Sequence, residues 1–509
     1  MCSAPPAPET VEPSSPAWPP IDEGPPTILV MDRELIEHYL GDSSRCRAVP
    51  EGAFTGSAGG APCGDLVRIS VTVADGVLVA VSFDSEGCAA TRAAAAALAE
   101  LVEGRSVLEA ALVAPAEVAE GLGGLADSHA HAAELAADAL HRALSALAGS
   151  NRRLAAPVPG RLLVALSGGV DSAVAALLER ERGREVVAVT LKLWADRATD
   201  GEKSCCSPEA VLRARRLAHS LGIPHLTLDL QPEFRRGVVQ PFIDGYAEGR
   251  TPNPCVLCNG EVRIDAMIDL AERVGAEALA TGHYARLRDD GGGPLLAAPR
   301  DEAKDQTYML AGLRPSSLAR LRFPLGDLTK PEVRAHAAEA ELEVAGRAES
   351  QDLCFLAGQG KRGFLRRHGG LGERPGEIVD KDGQVLATHR GHHEFTIGQR
   401  RGLGVPSPEA LFVLRTEADS NRVTVGPRSR LRTERIRITS ARLHRGAERV
   451  DSVRLRYHAP RHPCRVEGAP NGSTDEAVIA LEEPTDRVAP GQIACLMDGD
   501  LVVGHGTIS

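Results

Sequence analysis

Hydrophobic and polar residues alternate through 66–73 and again through 76–83, the period of a half-buried strand, and Ala74-Asp75-Gly76 between the two runs predicts a hairpin. A helical stretch starting near Met31 precedes it, and alanine-rich helical segments at 89–103 and 132–147 follow. Together they predict a small α+β domain over 29–150, with 151–160 and its two prolines as a linker. From Arg161 the rhythm changes. Short, often β-branched apolar runs at 162–166, 186–193, 225–230 and 278–281 are each followed by a helical pattern, which predicts an α/β domain with a parallel sheet. Past about residue 360 the helical period is expected to stop, and strands such as 435–439, 453–457 and 477–481 alternate with Gly, Pro and Asp turns in a barrel-like pattern.

A length of 509 residues leaves room for several domains, at roughly 150 residues each, rather than one enlarged core. No apolar run is long enough to cross a bilayer, so a soluble chain without a membrane partner is expected. Eleven irregularly spaced cysteines do not make the framework of a secreted protein and suit a reducing cytoplasm. Residues 1–28 hold nine prolines and no Lys or Arg, which reads as a disordered acidic tail rather than a targeting signal. The net charge of −11 is unevenly spread: 29–150 carries 17 acids against 7 bases, whereas 395–470 carries 16 Arg against 7 acids. Such an arginine-rich back is open to two readings on composition, a polyanion-binding face or a solvated surface.

The predicted strand at 162–166 runs into Ser167-Gly168-Gly169-Val170-Asp171-Ser172 and then a helix. Two glycines let the backbone approach a ligand, consecutive amides form an anion nest, and the helix N-terminus adds positive potential. The loop has no Lys, unlike a Walker A loop, so chemistry at the α-phosphate fits it better than terminal phosphoryl transfer. Further on, Cys255 and Cys258 form a C-x-x-C in Thr251-Pro252-Asn253-Pro254-Cys255-Val256-Leu257-Cys258-Asn259, and Cys354 follows alone. By itself the pair is open to zinc, redox or cluster readings, or to two unconnected buried thiols.

The glycine loop resembles the pyrophosphate (PP) loop of the ATP-pyrophosphatase superfamily. The loop, the Asn253–Cys258 segment, Thr281-Gly282-His283-Tyr284, Lys304-Asp305-Gln306 and residues 396–404 together resemble the bacterial tRNA 2-thiouridylase (MnmA-like) family. The resemblance covers about 161–509 and implies an adenylating domain at 161–360, a central domain at 361–428 and a C-terminal β-barrel at 429–509. It further implies that ATP, with Mg²⁺ held in part by Asp171, adenylates the C2 oxygen of a tRNA wobble uridine. Cys354 is then the carrier of a persulfide from an outside sulfur donor such as a cysteine desulfurase, and Cys258 the nucleophile. Ala165, Leu166, Ser167, Gly168, Gly169, Val170, Asp171, Ser172, Leu191 and Gly282 match ATP contacts. Asn253, Pro254, Cys255, His283, Lys304, Asp305, Gln306, Arg456, Tyr457 and Gln492 match tRNA contacts, and the resemblance gives the arginine-rich segment a partner, with Arg400, Arg401, Arg428, Arg430 and Arg456 as candidates for phosphate contacts and base stacking.

Cys63, Asp65, Cys88 and His131, in the acidic front domain, resemble the ligand set of the U-type iron-sulfur cluster scaffold family (IscU/NifU-like). The family's third cysteine, expected after the histidine, is Ala132 here. The resemblance implies an iron-sulfur cluster or metal ion on one thiolate fewer. Two alternatives to the persulfide enzyme follow: thiolation dependent on a [4Fe-4S] cluster held by Cys255, Cys258 and Cys354, or a scaffold or sulfur-relay protein without ATP turnover. Another adenylating ligase would need neither Cys258 nor Cys354.

Overall fold

A computed structural model describes residues 33–41, 44–46, 49–60, 64–196, 207–346, 353–356, 359–469 and 473–509. The proline-rich segment 1–28, Cys63, Cys205 and Cys206 lie outside these residues.

The front domain is a three-stranded antiparallel sheet, Phe54–Gly59, Leu66–Ala74 and Val77–Glu86 in that order, covered by helices Ala89–Val102 and Ala130–Ala148. The hairpin turns on Asp75 and Gly76, both at positive φ (50° and 78°), the geometry that matches strand twist in a two-residue turn. The sequence pattern missed Phe54–Gly59 because its small residues show no strong alternation. Their smallness has a packing cause: a Cβ on Gly56 would fall onto the backbone of Ala139 and Ala143 in the covering helix. Gly56→Ala is therefore expected to cost about 1–3 kcal/mol through overpacking. Urea unfolding of the full chain, followed by hydrogen exchange in the front domain, measures this; an unchanged midpoint would mean that the helix yields freely.

The second domain holds five parallel strands in the order Leu321–Arg322, Ala278–Thr281, Leu162–Ala165, Val186–Lys192, His225–Asp229. Four were expected; Leu321–Arg322 is too short to show a period. The strand order reverses direction at Leu162–Ala165, and ligands of open α/β sheets bind outside the carboxyl ends of the strands at such a point. Helix Ala130–Ala148 also packs on the edge strand His225–Asp229, where Arg215 Nη1 donates to Asp138 Oδ1 at 3.1 Å and His225 N to Ala111 O at 3.2 Å. The linker is docked as well: Leu154 is buried and its N–H donates to Arg273 O at 2.8 Å.

Contrary to the expectation that helices stop near residue 360, Gly360–Gly369 is a helix. Only Phe364 and Leu365 turn inward, too few for a helical period to stand out. Tertiary pairing secures it, since buried Asp196 accepts from Arg367 Nη2 at 2.7 Å and pairs with His368 Nε2 at 3.0 Å. A four-stranded mixed sheet follows, in the order Val385–His389, Gly376–Val379, Arg422–Pro427, Leu411–Glu417.

The last domain is a closed six-stranded barrel: Arg432–Leu443, Thr474–Asp486, Arg461–Glu467, Ser452–Arg454, Ile493–Asp498 and Leu501–Ile508, the last pairing with the first. The strand expected over 453–457 ends at Arg454, and residues 456–458 leave the barrel in an exposed turn with His458 at φ 56°. A hairpin from the second domain, Arg286–Asp289 with Pro294–Ala297, extends the barrel's sheet by pairing Ala297 with Leu501 and Leu296 with Val502. Asp290 at its tip receives Arg445 Nη2 at 2.6 Å and Arg449, and these guanidiniums hold its carboxyl far below the usual carboxylate range.

Candidate active site and scaffold-domain metal centre

A cavity of about 370 Å³ opens at the carboxyl ends of the parallel strands. Ala165, Leu166, Ser167, Asp171, Ser172, Leu191 and Gly282 line it, whereas Gly168, Gly169 and Val170 turn the chain beside it. Gly168 stands at φ 71°, and Ser172 Oγ accepts from Ser167 N at 3.1 Å, which holds the loop around its amides. A Cβ on Gly282 would come within 2.8 Å of Asp171 C and Ser172 N, so only glycine lets the Thr281–His283 segment close on the loop. His283 and Gln306, matched above to tRNA-contacting positions, line this same cavity.

Lys330, which no sequence motif marked, supplies the cation that the loop lacks. It is the first residue of helix Lys330–Glu339 and 159 positions from Asp171, whose two carboxylate oxygens it reaches at 2.7 and 2.8 Å. Tyr284 Oη donates to Asp171 Oδ1 at 2.8 Å. Arg263, also unmarked in the sequence, lines the cavity, and its Nη2 donates to His283 Nε2 at 2.7 Å. Burial and the neighbouring Arg263 push His283 down to about 3, so the ring is neutral at physiological pH.

Arg263 connects the cavity to the cysteines. Asn253 caps the short helix Pro254–Leu257, with Oδ1 accepting from Val256 N at 3.3 Å; a π-helical turn, Cys258–Arg263, then leads into helix Ile264–Arg273. Such turns are frequent at functional sites because the extra residue re-aims side chains. Cys258 is buried and Cys255 half-buried. Burial pushes the Cys255 thiol up, and Arg263 draws it part of the way back. Cys354 is half-buried on the turn Cys354–Leu356, packed against the same hydrophobic core as Cys258. Phe355 anchors that turn, with ring centroids 5.8, 5.1 and 4.9 Å from Phe234, Phe242 and Phe364.

The remaining tRNA candidates divide between seam and surface. Gln492 Nε2 donates to Thr251 O at 2.7 Å and so ties the barrel to the Asn253–Cys258 segment. Asp305 is buried: its Oδ2 accepts from Arg454 Nη1 at 2.8 Å and its Oδ1 from Thr307 Oγ1 at 2.6 Å. Its carboxylate faces the barrel seam rather than outward. Lys304 is half-buried on the turn Glu302–Lys304, and Pro254 is buried. Arg456 and Tyr457 are exposed, with the Tyr457 ring 6.5 Å from that of Tyr308. Arg400, Arg401 and Arg430 are exposed too, and Arg428 pairs with Asp486 at 2.8 Å.

In the front domain, ligand atoms of Asp65, Cys88 and His131 lie within 4.8 Å of one another, the one such group of three among the described residues. Asp65 is buried; its Oδ2 accepts from Thr91 Oγ1 at 2.5 Å and pairs with His131 Nε2 at 3.3 Å. Gly87, at φ 136°, leaves room for that carboxylate, which a Cβ would strike. Mixed sulfur, nitrogen and oxygen donors at this spacing fit a transition-metal ion. Cys63 lies outside the described residues, and Ala132 is fully buried beside His131.

These features are those of a parallel α/β domain with a PP-type loop at a nucleotide-sized cavity, joined to an α+β domain with a candidate metal site. Family models match in the same order: a NifU-like N-terminal domain at 32–153, a tRNA methyl transferase HUP domain at 160–358, a tRNA methyl transferase PRC-barrel domain at 362–427 and an aminomethyltransferase β-barrel domain at 428–508. A bifunctional protein NifU/MnmA of Rubrobacter xylanophilus is 46% identical over 489 residues, covering 93% of this chain and 98% of that one. The tRNA-specific 2-thiouridylase MnmA of Chloroflexus aggregans is 43% identical over 354 residues, covering 68% of this chain and 98% of its own. That of Geobacter metallireducens is 40% identical over 359 residues, covering 68% and 96%. The chain belongs to the bifunctional NifU/MnmA family, in which an iron-sulfur scaffold-like domain precedes a tRNA 2-thiouridylase.

Proposed function

We propose that the chain is a tRNA-uridine 2-sulfurtransferase that adenylates the C2 oxygen of the wobble uridine and replaces that oxygen with sulfur carried by Cys354. The observation that carries this reading is the continuity of one wall, from the PP-loop cavity through Arg263 to the π-helical turn opened by Cys258. The loop amides hold the pyrophosphate portion of ATP, and Leu191, Leu193 and Met267 give the nucleoside an apolar bed. One carboxylate beside a phosphate loop is an ordinary donor set for Mg²⁺, so Asp171 would hold the ion, which supplies positive charge to the leaving pyrophosphate.

In sulfur transfer the terminal sulfur of the Cys354 persulfide bonds to C2. The Cys258 thiolate then attacks the inner sulfur; the S–S bond breaks with its electron pair going to the C2-bound sulfur, and the C2–O bond breaks as AMP leaves. The resulting Cys258–Cys354 disulfide returns to thiols through an external thiol reductant. A [4Fe-4S] cluster on Cys255, Cys258 and Cys354 is the second reading. It is favoured by the one-turn spacing of Cys255 and Cys258, which suits two thiolates on one metal centre.

Unmodified tRNA incubated with the chain, ATP and a cysteine desulfurase is expected to gain 2-thiouridine, read by nucleoside mass analysis. No thionucleoside from any tRNA pool would overturn the reading. Full turnover by iron-free Cys255→Ala selects the persulfide route over the cluster. Exposed Arg400, Arg401, Arg430 and Arg456 should make binding electrostatic, with a tRNA affinity that falls steeply with salt and a log–log slope that shrinks by about 0.7–0.9 for each phosphate contact removed. A flat salt dependence would exclude that role.

The front domain is proposed to bind iron or an iron-sulfur cluster at Asp65, Cys88 and His131, with Cys63 as the further ligand, and to serve sulfur delivery in a cytoplasmic setting. His131→Ala should lower metal occupancy of the full chain at least tenfold by elemental analysis, with the PP-loop site still binding ATP. Undiminished occupancy would remove His131 from the site.

A further inference from the structure

The cavity contains a cation whose charge the fold leaves uncompensated. Asp171 is the one carboxylate lining the cavity among the described residues, and Lys330 neutralises it. Arg263 also lines the cavity, with no carboxylate in ion-pair range among the described residues. It donates through Nη2 to an uncharged imidazole, and its Nε is buried with no hydrogen-bond partner. A guanidinium never accepts, so His283 Nε2 must be the acceptor and the ring proton sits on Nδ1, directed at Thr281 Oγ1 at 2.8 Å. The imidazole is thus locked as a neutral prop that orients the guanidinium without cancelling its charge. A guanidinium that lines a nucleotide-sized cavity, with no carboxylate partner among the described residues, calls for an anion.

We propose that Arg263 binds the α-phosphate of ATP and keeps hold of it until it departs as AMP, with His283 as the positioning residue. This rests on the adenylating reading above. The loop amides form the anion nest for the pyrophosphate, which leaves the α-phosphate to Arg263, joined to Cys258 by the single π-helical turn Cys258–Arg263. In adenylation the bond from the uridine C2 oxygen to the α-phosphorus forms as the bond to pyrophosphate breaks, and pyrophosphate takes the electron pair. In sulfur transfer the C2–O bond breaks and its electron pair goes to AMP. The α-phosphate is the reacting centre of the first step and the leaving group that gains negative charge in the second, so one guanidinium holding it serves both.

The test uses the full chain with unmodified tRNA and ATP, following AMP formation. Arg263→Gln should lower kcat about 10²–10³-fold with a smaller change in KM for ATP, and Arg263→Lys should recover part of the loss. Competition assigns the phosphate. Inhibition by AMP should weaken at least tenfold in Arg263→Gln, with inhibition by pyrophosphate unchanged. Thermal melting of both variants checks that they fold, and Arg263→Lys carries the test if the glutamine variant does not. Weakened inhibition by pyrophosphate with AMP unaffected, or wild-type kcat in either variant, overturns the assignment while leaving the adenylating reading intact. If the wild-type chain forms no AMP from ATP in the presence of tRNA, the adenylating reading falls and the assignment with it.

Discussion

Replacing Cys354 by alanine is expected to abolish 2-thiouridine formation while tRNA-dependent cleavage of ATP to AMP continues. On the proposed reading, activation of the base rests on the PP-loop cavity, whereas Cys354 would carry sulfur from a turn held by Phe355 within an aromatic cluster. The side chain removed is half-buried and small, so the turn loses little packing and the variant should fold. Thiolation should drop on the order of 10³-fold or below detection, because no neighbouring group replaces a covalent sulfur carrier. AMP release should then occur by hydrolysis of the activated base or of bound ATP. Single-turnover assays of AMP and thionucleoside in parallel make the comparison. Equal loss of both products would show that Cys354 takes part in activation as well as in sulfur transfer.

The second large effect concerns stability. Arg454 and Asp305 form an ion pair across the seam between adenylating domain and barrel, with side chains only 10% and 7% exposed. Removing one partner of a buried pair leaves the other charge in a poorly solvating place. Arg454→Met should therefore cost about 3–5 kcal/mol. Asp305→Asn combined with Arg454→Met should restore much of it, since no uncompensated charge remains. Urea unfolding monitored by hydrogen exchange in Ser452–Arg454 reads both variants; a single variant with the wild-type midpoint would mean that water reaches Asp305 readily. Gln306 lies next to Asp305 and lines the nucleotide cavity, so the single variant should also weaken ATP binding.

Much of this architecture was legible because its signals are local. Alternation marked the hairpin, β-branched runs marked four parallel strands, and the Ser167 to Ser172 string marked the loop that lies at the cavity. What escaped notice was tertiary. Lys330 reaches Asp171 from 159 positions away, and Arg263 looks like any basic residue on an amphipathic helix until the cavity is seen. Helix Gly360–Gly369 depends on Asp196, and Phe54–Gly59 is a strand because a helix needs a flat surface there. Asp305 and Gln492 matched RNA-contacting positions by motif, yet their side chains spend their hydrogen bonds on the barrel seam.

The hairpin Arg286–Asp289 with Pro294–Ala297 bears on how such a protein can be taken apart. By chain order it belongs to the adenylating domain; by hydrogen bonding and by the Asp290–Arg445 and Asp290–Arg449 pairs it belongs to the barrel. A barrel grafted from a relative without its matching hairpin would lose a strand partner for Leu501 and Val502, leave Arg445 without Asp290 and leave Arg449 with Asp498 alone. Exchange between relatives should succeed when the two segments travel together, so the unit of recombination in this fold is discontinuous along the chain.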